Sequence, residues 1–203
     1  MRHRIFIASY LPDDLKKIFL DYQQRKLSNS NFRLVSEQAL HLTLIFIGYV
    51  NGDDILKINE VCKYISSLFS PIDVKLDKIR FGSNLRSNNP IWAECEVSKH
   101  LNNLHKNLEN KLIDQGISFR IENHLFRPHI TLARFKNEAK ILDLSGLEEK
   151  INKSFVINSI SVIESELNNI GPKYTNLATY ALKANKNLRF AQNLVSHFTR
   201  NNN

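Results

Sequence analysis

The chain carries one short pattern twice, and that repetition restricts what the rest of it can build. It reads His41-Leu42-Thr43-Leu44-Ile45-Phe46-Ile47-Gly48 in the first half and His129-Ile130-Thr131-Leu132-Ala133-Arg134-Phe135 past the middle. Both runs are rich in residues that suit strands. Successive side chains of a strand point to opposite faces, so His41 and Thr43 share one face while Leu42, Leu44 and Phe46 take the other. His129 and Thr131 separate from Ile130 and Leu132 in the same way. Each strand therefore holds an imidazole and a hydroxyl about 6–7 Å apart along one face. Two such strands can present two His/Thr pairs to a single cleft.

The remaining sequence has to bury the apolar faces of those strands. With 203 residues, 42% hydrophobic and 24% charged, it suits a soluble domain or two small lobes sharing a sheet. There are 28 basic and 20 acidic residues, a formal charge of +8. Such a surplus favours anionic partners such as nucleic acid, nucleotides or acidic membranes and says nothing about fold. Cys62 and Cys95 show no metal or redox spacing and read as small buried hydrophobes, which fits a reducing compartment. The apolar run at 5–8 is too short for the core of a signal peptide, and no apolar run approaches the length of a membrane span. A cytoplasmic location is expected.

Taken in order, 5–8 reads as a buried strand, and Pro12-Asp13-Asp14 suits a first helical turn, followed by Leu15, Ile18, Phe19 and Tyr22 at helical spacing. A short strand over 32–35 precedes the first motif. A second helix is expected from about 53 to 69, with Ile55, Ile58, Val61, Cys62, Ile65, Leu68 and Phe69 on its apolar face and Pro71 closing it. Residues 74–81 read as a strand, 82–90 as a polar loop containing Arg86, and 91–97 as a half-buried strand by its alternation. Ser98 can cap a third helix with Leu101, Leu104, Leu108 and Leu112 as its stripe and Gly116 at its end. An extended segment at 117–121 leads to the second motif, and 138–150 reads as a short helix or loop. Strands follow at 155–164 and 174–182, joined by a turn at Gly171-Pro172. The first of these shifts its alternation near Ser159, as a bulge or strand switch would. A tail helix over 188–198 completes the chain, and the whole order suggests two rough copies of one α+β unit.

Of seven histidines, His105 lies beside the leucine stripe and reads as an ordinary helix residue. His3, His100, His124 and His197 have no partner pattern. His41 and His129 differ because each brings the same neighbour and the same phase of apolar face. An imidazole titrates near neutrality and can give or take a proton. Cleaving a phosphodiester needs a base on the attacking water and an acid on the departing oxygen, and two histidines from facing strands can supply both. Thr43 and Thr131 can donate hydrogen bonds to non-bridging oxygens, and Arg134 can add a charged donor. Strict alternation places Arg134 on the face opposite His129, so a twist or strand end is needed to bring it to the phosphate. Zinc usually takes three or four Cys, His or carboxylate ligands, and neither motif supplies an adjacent second one, threonine being a poor ligand, which argues against a metal site. No nucleophile elbow or glycine-rich phosphate loop appears.

These residues resemble the RNA 2',3'-cyclic phosphodiesterase branch of the two-histidine phosphoesterases, historically called 2'-5' RNA ligases. The resemblance rests on Arg4-Ile5-Phe6-Ile7-Ala8 with Leu11-Pro12, on His41-Leu42-Thr43-Leu44 with Phe46 and Gly48, and on Arg127-Pro128-His129-Ile130-Thr131-Leu132-Ala133-Arg134. Ser161-Val162-Ile163-Glu164-Ser165 and Gly171-Pro172-Lys173-Tyr174 extend it. It implies a bilobal α+β fold: two pseudo-repeated lobes whose antiparallel sheets line a central cleft, with helices outside. The domain would span 1–184, followed by a helical or flexible tail at 185–203. The implied activity is cofactor-free and metal-independent hydrolysis of RNA or nucleotide 2',3'-cyclic phosphate to a 2'-phosphate, by a monomer with no membrane partner. His41 would protonate the departing 3'-oxygen and His129 activate water. Thr43, Thr131 and Arg134 would hold the phosphate. Phe46 matches a family position, but alternation puts it on the core face. Relatives often carry an aromatic after the arginine that precedes the first motif, where this chain has Leu34 after Arg33. Two rivals stand beside this reading: ligation, or hydrolysis of another small cyclic phosphate, at the same site; and RNA binding without turnover, which would show strong salt dependence.

Overall fold

Alternating apolar residues lay down strands from both halves of the chain, and in a computed structural model these join edge to edge. The structure describes residues 1–28, 31–82, 90–121, 125–136, 146–168 and 171–183. The expected loop with Arg86, most of 138–150, His124 and the tail helix with His197 lie outside those residues.

The first lobe contains β1 (His3–Tyr10), β3 (His41–Val50), β9 (Ser159–Asn168) and β10 (Gly171–Ala181) in the order β10-β9-β1-β3. The second contains β4 (Ile72–Phe81), β5 (Pro90–Cys95), β6 (His129–Phe135) and β7 (Glu149–Lys150) in the order β6-β5-β4-β7. Short strands β2 (Phe32–Leu34) and β8 (Ser154–Ile157) add to β6 and β4. Every pairing among the described residues is antiparallel. The lobes meet where β3 pairs with β6 through Leu42 and Ile130. Both residues sit one place after a motif histidine, so the seam runs between the two copies of the pattern.

Among the described residues, three helices cover the apolar side of the strands. Helix α1 (Asp13–Lys26) buries Leu15, Phe19, Tyr22 and Gln23, and Pro12 serves as its N-cap, one place before the helical turn. Helix α2 (Gly52–Ser66) opens on a capping box in which Asn51 Oδ1 accepts from the Asp54 amide at 2.8 Å. It stops short of the expected 69 because Ser66 and Ser67 turn their hydroxyls onto the Lys63 and Tyr64 carbonyls. Hydroxyls that bond locally to the backbone compete with helix propagation. Helix α3 (Lys99–Asp114) is capped by Ser98 and buries Leu101, Leu104, Leu108 and Leu112. Gly116, at φ 73°, ends it: its amide bonds the Ile113 carbonyl and that of Ile117 bonds Leu112. This closure needs a left-handed residue, which glycine supplies without strain.

Three details depart from the sequence reading. The run at 155–164 is two strands: β8 pairs with β4 in the second lobe, and after Asn158 the chain crosses to pair with β1 as β9. The phase shift near Ser159 thus marks a strand switch. Residues 149–150, read as part of a helix or loop, pair with β4 as β7. Gly171 and Pro172 lie inside β10.

Candidate active site

Polar side chains that the motif strands turn away from the core collect in one cavity of about 760 Å³ at the seam. His41, Thr43, His129, Thr131 and Arg134 all line it. The register explains the gathering. Antiparallel pairing of Leu42 with Ile130 brings the two motif strands side by side at the seam, so that both imidazoles and both threonines line the same cavity.

Both rings are anchored alike. Nδ1 of His41 lies 2.7 Å from the Ala39 carbonyl, and Nδ1 of His129 lies 2.8 Å from the Arg127 carbonyl. A carbonyl can only accept, so each Nδ1 carries the proton and donates it, and Nε2 is the nitrogen of each ring that can take up a proton. In His41, Nε2 is 3.1 Å from Thr43 Oγ1 and accepts from that hydroxyl. Aromatic rings from the flanking strands and from β10 hold the imidazoles. Phe6 and Tyr174 pack against His41 at centroid distances of 4.9 and 5.4 Å. Trp92 stacks on His129 at 4.0 Å. Burial pulls the His41 pKa down to about 4, with His129 and Arg134 adding repulsion and the Ala39 carbonyl acting the other way. Free His41 is consequently neutral at pH 7.

Arg134 reaches the cleft because β6 bulges. Ala133 pairs with Ile91 and Thr131 with Trp92, so Leu132 is an extra residue with no partner on β5. One inserted residue reverses the facing of all that follow. Strand β3 does the same thing at the same offset: Ile45 pairs with Ile7 and Thr43 with Ala8, leaving Leu44 extra. Phe46 thereby turns into the cleft instead of the core, and is 47% exposed. The expected core placement of Phe46 is corrected by this bulge. A usable signal existed in the doubled apolar residues Leu44-Ile45 and Leu132-Ala133, each beginning directly after a motif threonine.

Further residues join that the sequence did not single out for the site. Arg4, Phe6, Arg33, Ser165 and Tyr174 line the cavity, and among the described residues no aspartate or glutamate does. Among the described residues, no three His, Cys, Asp or Glu side chains gather as metal ligands would. Cys62 and Cys95 are buried and apart from the cleft, with burial pushing the Cys95 thiol up to about 12. No described helix is long and apolar enough to cross a membrane.

Comparison with known proteins gives the arrangement a context. The family model for LigT-like phosphoesterases matches twice, at residues 11–92 and 94–174, one match containing each motif. A Methanothermobacter thermautotrophicus protein named RNA 2',3'-cyclic phosphodiesterase is 26% identical over 187 residues, covering 90% of this chain and 100% of that one. A Thermotoga maritima protein of the same name is 31% identical over 136 residues, covering 66% of this chain and 70% of the other. The crystal structure of a Thermus thermophilus protein, TT0787, superposes with a TM-score of 0.78 at 22% identity, covering 89% of this chain and 98% of that one. At that identity the likeness speaks for the fold.

Proposed function

The chain belongs to the LigT-like phosphoesterase family, and on that premise we propose that it opens RNA or nucleotide 2',3'-cyclic phosphates to a 2'-phosphomonoester without a metal. The relatives named RNA 2',3'-cyclic phosphodiesterase support the reaction class. The observation that carries the mechanism is the pair of imidazoles, each with Nδ1 tied to a carbonyl and both lining one cavity with the two motif threonines.

In this mechanism Nε2 of His129 takes a proton from water as the water oxygen attacks phosphorus. The P–O3' bond breaks on the far side, and the departing 3'-oxygen takes its proton from Nε2 of His41. The 2'-ester survives, and solvent exchange returns both imidazoles to their starting states. Thr43, Thr131 and Arg134 donate to the non-bridging oxygens, where charge grows in the transition state. His41 enters this cycle neutral, because its pKa in the free protein is about 4. A bound phosphate anion favours its charged form, so the acid is loaded as substrate binds. All of these groups come from one chain, and a monomer suffices.

The test is a short RNA ending in 2',3'-cyclic phosphate, incubated with the protein in excess EDTA and compared with authentic 2'- and 3'-phosphate ends. Conversion to the 2'-phosphate is expected, with a loss of at least about a hundredfold in His41→Ala and in His129→Ala, the range of general acid–base catalysis. Undiminished turnover with both histidines replaced would sink the mechanism. Tight RNA binding without conversion would favour a non-catalytic role.

A further inference from the structure

The cleft holds more positive charge than one cyclic phosphate requires. Arg4, Arg33 and Arg134 all line it; among the described residues no carboxylate does, and none of the three arginines forms an ion pair with one. Arg33 and Arg134 stand directly opposite on β2 and β6, a placement that is unfavourable for like charges. Arg4 is held from the other lobe: it donates to Ser165 Oγ at 2.9 Å, and its guanidinium lies 4.7 Å from the centre of the Phe46 ring. Partial desolvation, together with Arg33 and Arg4, weakens the hold of Arg134 on its proton, with Tyr174 acting the other way. Such a cluster, facing a cavity from strands of both lobes, is relieved when anions enter.

A cyclic phosphate diester brings a single negative charge, and Arg134, on the same strand as His129 and Thr131, is placed to meet it. That leaves Arg4 and Arg33 without an anion. An RNA chain carries a further phosphate one linkage upstream; a mononucleoside cyclic phosphate does not. We propose that Arg4 and Arg33 form a second phosphate subsite, and that the cleft selects the end of an RNA chain over a free cyclic nucleotide. The proposal rests on the cyclic-phosphate reading above and adds to it the substrate's upstream phosphodiester. A guanidinium suits this contact because its planar fork matches two phosphate oxygens. The Ser165 bond and the Phe46 ring hold the Arg4 fork in one orientation, so less freedom is lost on binding.

The test compares kcat/KM at low salt for three substrates: adenosine 2',3'-cyclic phosphate, the dinucleotide ending in the same group, and that dinucleotide with a neutral methylphosphonate linkage. The charged dinucleotide should be preferred at least about tenfold over both others. Arg4→Gln and Arg33→Gln should each shrink this ratio, and each should weaken the salt dependence of the dinucleotide's kcat/KM. A ratio near one in the wild type, or one indifferent to both substitutions and to the neutral linkage, overturns the subsite. A mononucleotide with an added 5'-phosphate that matches the dinucleotide overturns the requirement for a chain. Turnover of none of these substrates defeats the cyclic-phosphate reading instead. Competitive binding of 3'-phosphorylated dinucleotides with charged and neutral linkages then still decides the subsite: equal affinity overturns it, and weaker binding of the neutral one supports it.

Discussion

A histidine packed between aromatic rings gives up its proton more readily than one in water, and the cost of keeping it neutral appears in stability. His41 has a pKa of about 4 in the folded chain against an ordinary 6.5. Between these values the unfolded chain takes up a proton at this site and the folded chain does not, so acidification favours unfolding. The stabilisation is complete above about pH 6.5 and is lost as pH falls towards 4, amounting to at most about 3 kcal/mol. His41→Gln should therefore lose less stability than the wild type between pH 7 and 4.5 in urea unfolding. Parallel losses in the two proteins would show that His41 is not held neutral. Carboxylates titrate in the same window, which is why the comparison between the two proteins carries the prediction. His41, Thr43, His129 and Thr131 were legible as a set because the pattern occurs twice with its apolar phase intact. Phe6, Trp92 and Tyr174 were not, since each reaches an imidazole through strand neighbours or sheet closure that no local spacing encodes.

The bulges sit between residue and element, and they set the limit of pattern reading. Period-two alternation assumes that every residue has a partner across the strand, and Leu44 and Leu132 break that assumption at matching places. A bulge frees backbone groups that must bond elsewhere. At Leu132 the carbonyl accepts from the Val35 amide at 2.9 Å and from Gln23 Nε2 at 2.7 Å, and the same Nε2 lies 2.9 Å from the Val35 carbonyl. Gln23 is 3% exposed, the one buried polar side chain of helix α1. Replacing it with leucine takes the Gln23 donor from the Val35 carbonyl and leaves the Leu132 carbonyl with the Val35 amide alone, which should cost about 1–3 kcal/mol in denaturant unfolding. The same variant should also lower kcat, since Arg134 follows the bulge by two residues; Leu15→Ala on the same helix lowers stability without that kinetic effect. A Gln23→Leu protein as stable as the wild type would remove Gln23 from this role. Element types along the described chain were largely legible. What escaped was local competition, as where Ser66 and Ser67 end α2 early, and pairing choice, as where β8 and β9 part at Asn158.

At the scale of the molecule, the doubled motif describes a joint: two halves of one sheet meeting at Leu42 and Ile130, with the cleft at that meeting. Chain order does not respect this division. Strands β9 and β10 come last in the described sequence yet complete the first lobe beside β1. The first lobe is therefore closed only when the end of β10 has docked. Leu182 is 2% exposed, its amide bonds the Asn158 carbonyl at 2.8 Å, and the Lys183 amide bonds Ser66 at 3.1 Å. These contacts tie the end of β10 to the strand switch and to the last turn of α2. We propose on this basis that the folding unit ends close to 184 and that 185–203 is a separable tail. A chain stopped after residue 184 should unfold at the same urea midpoint as the full protein. One stopped after residue 180 should lose about 2–5 kcal/mol, because it gives up a fully buried leucine and two backbone bonds from the closing edge. A lowered midpoint in the chain stopped after residue 184 would instead make the tail part of the folded unit.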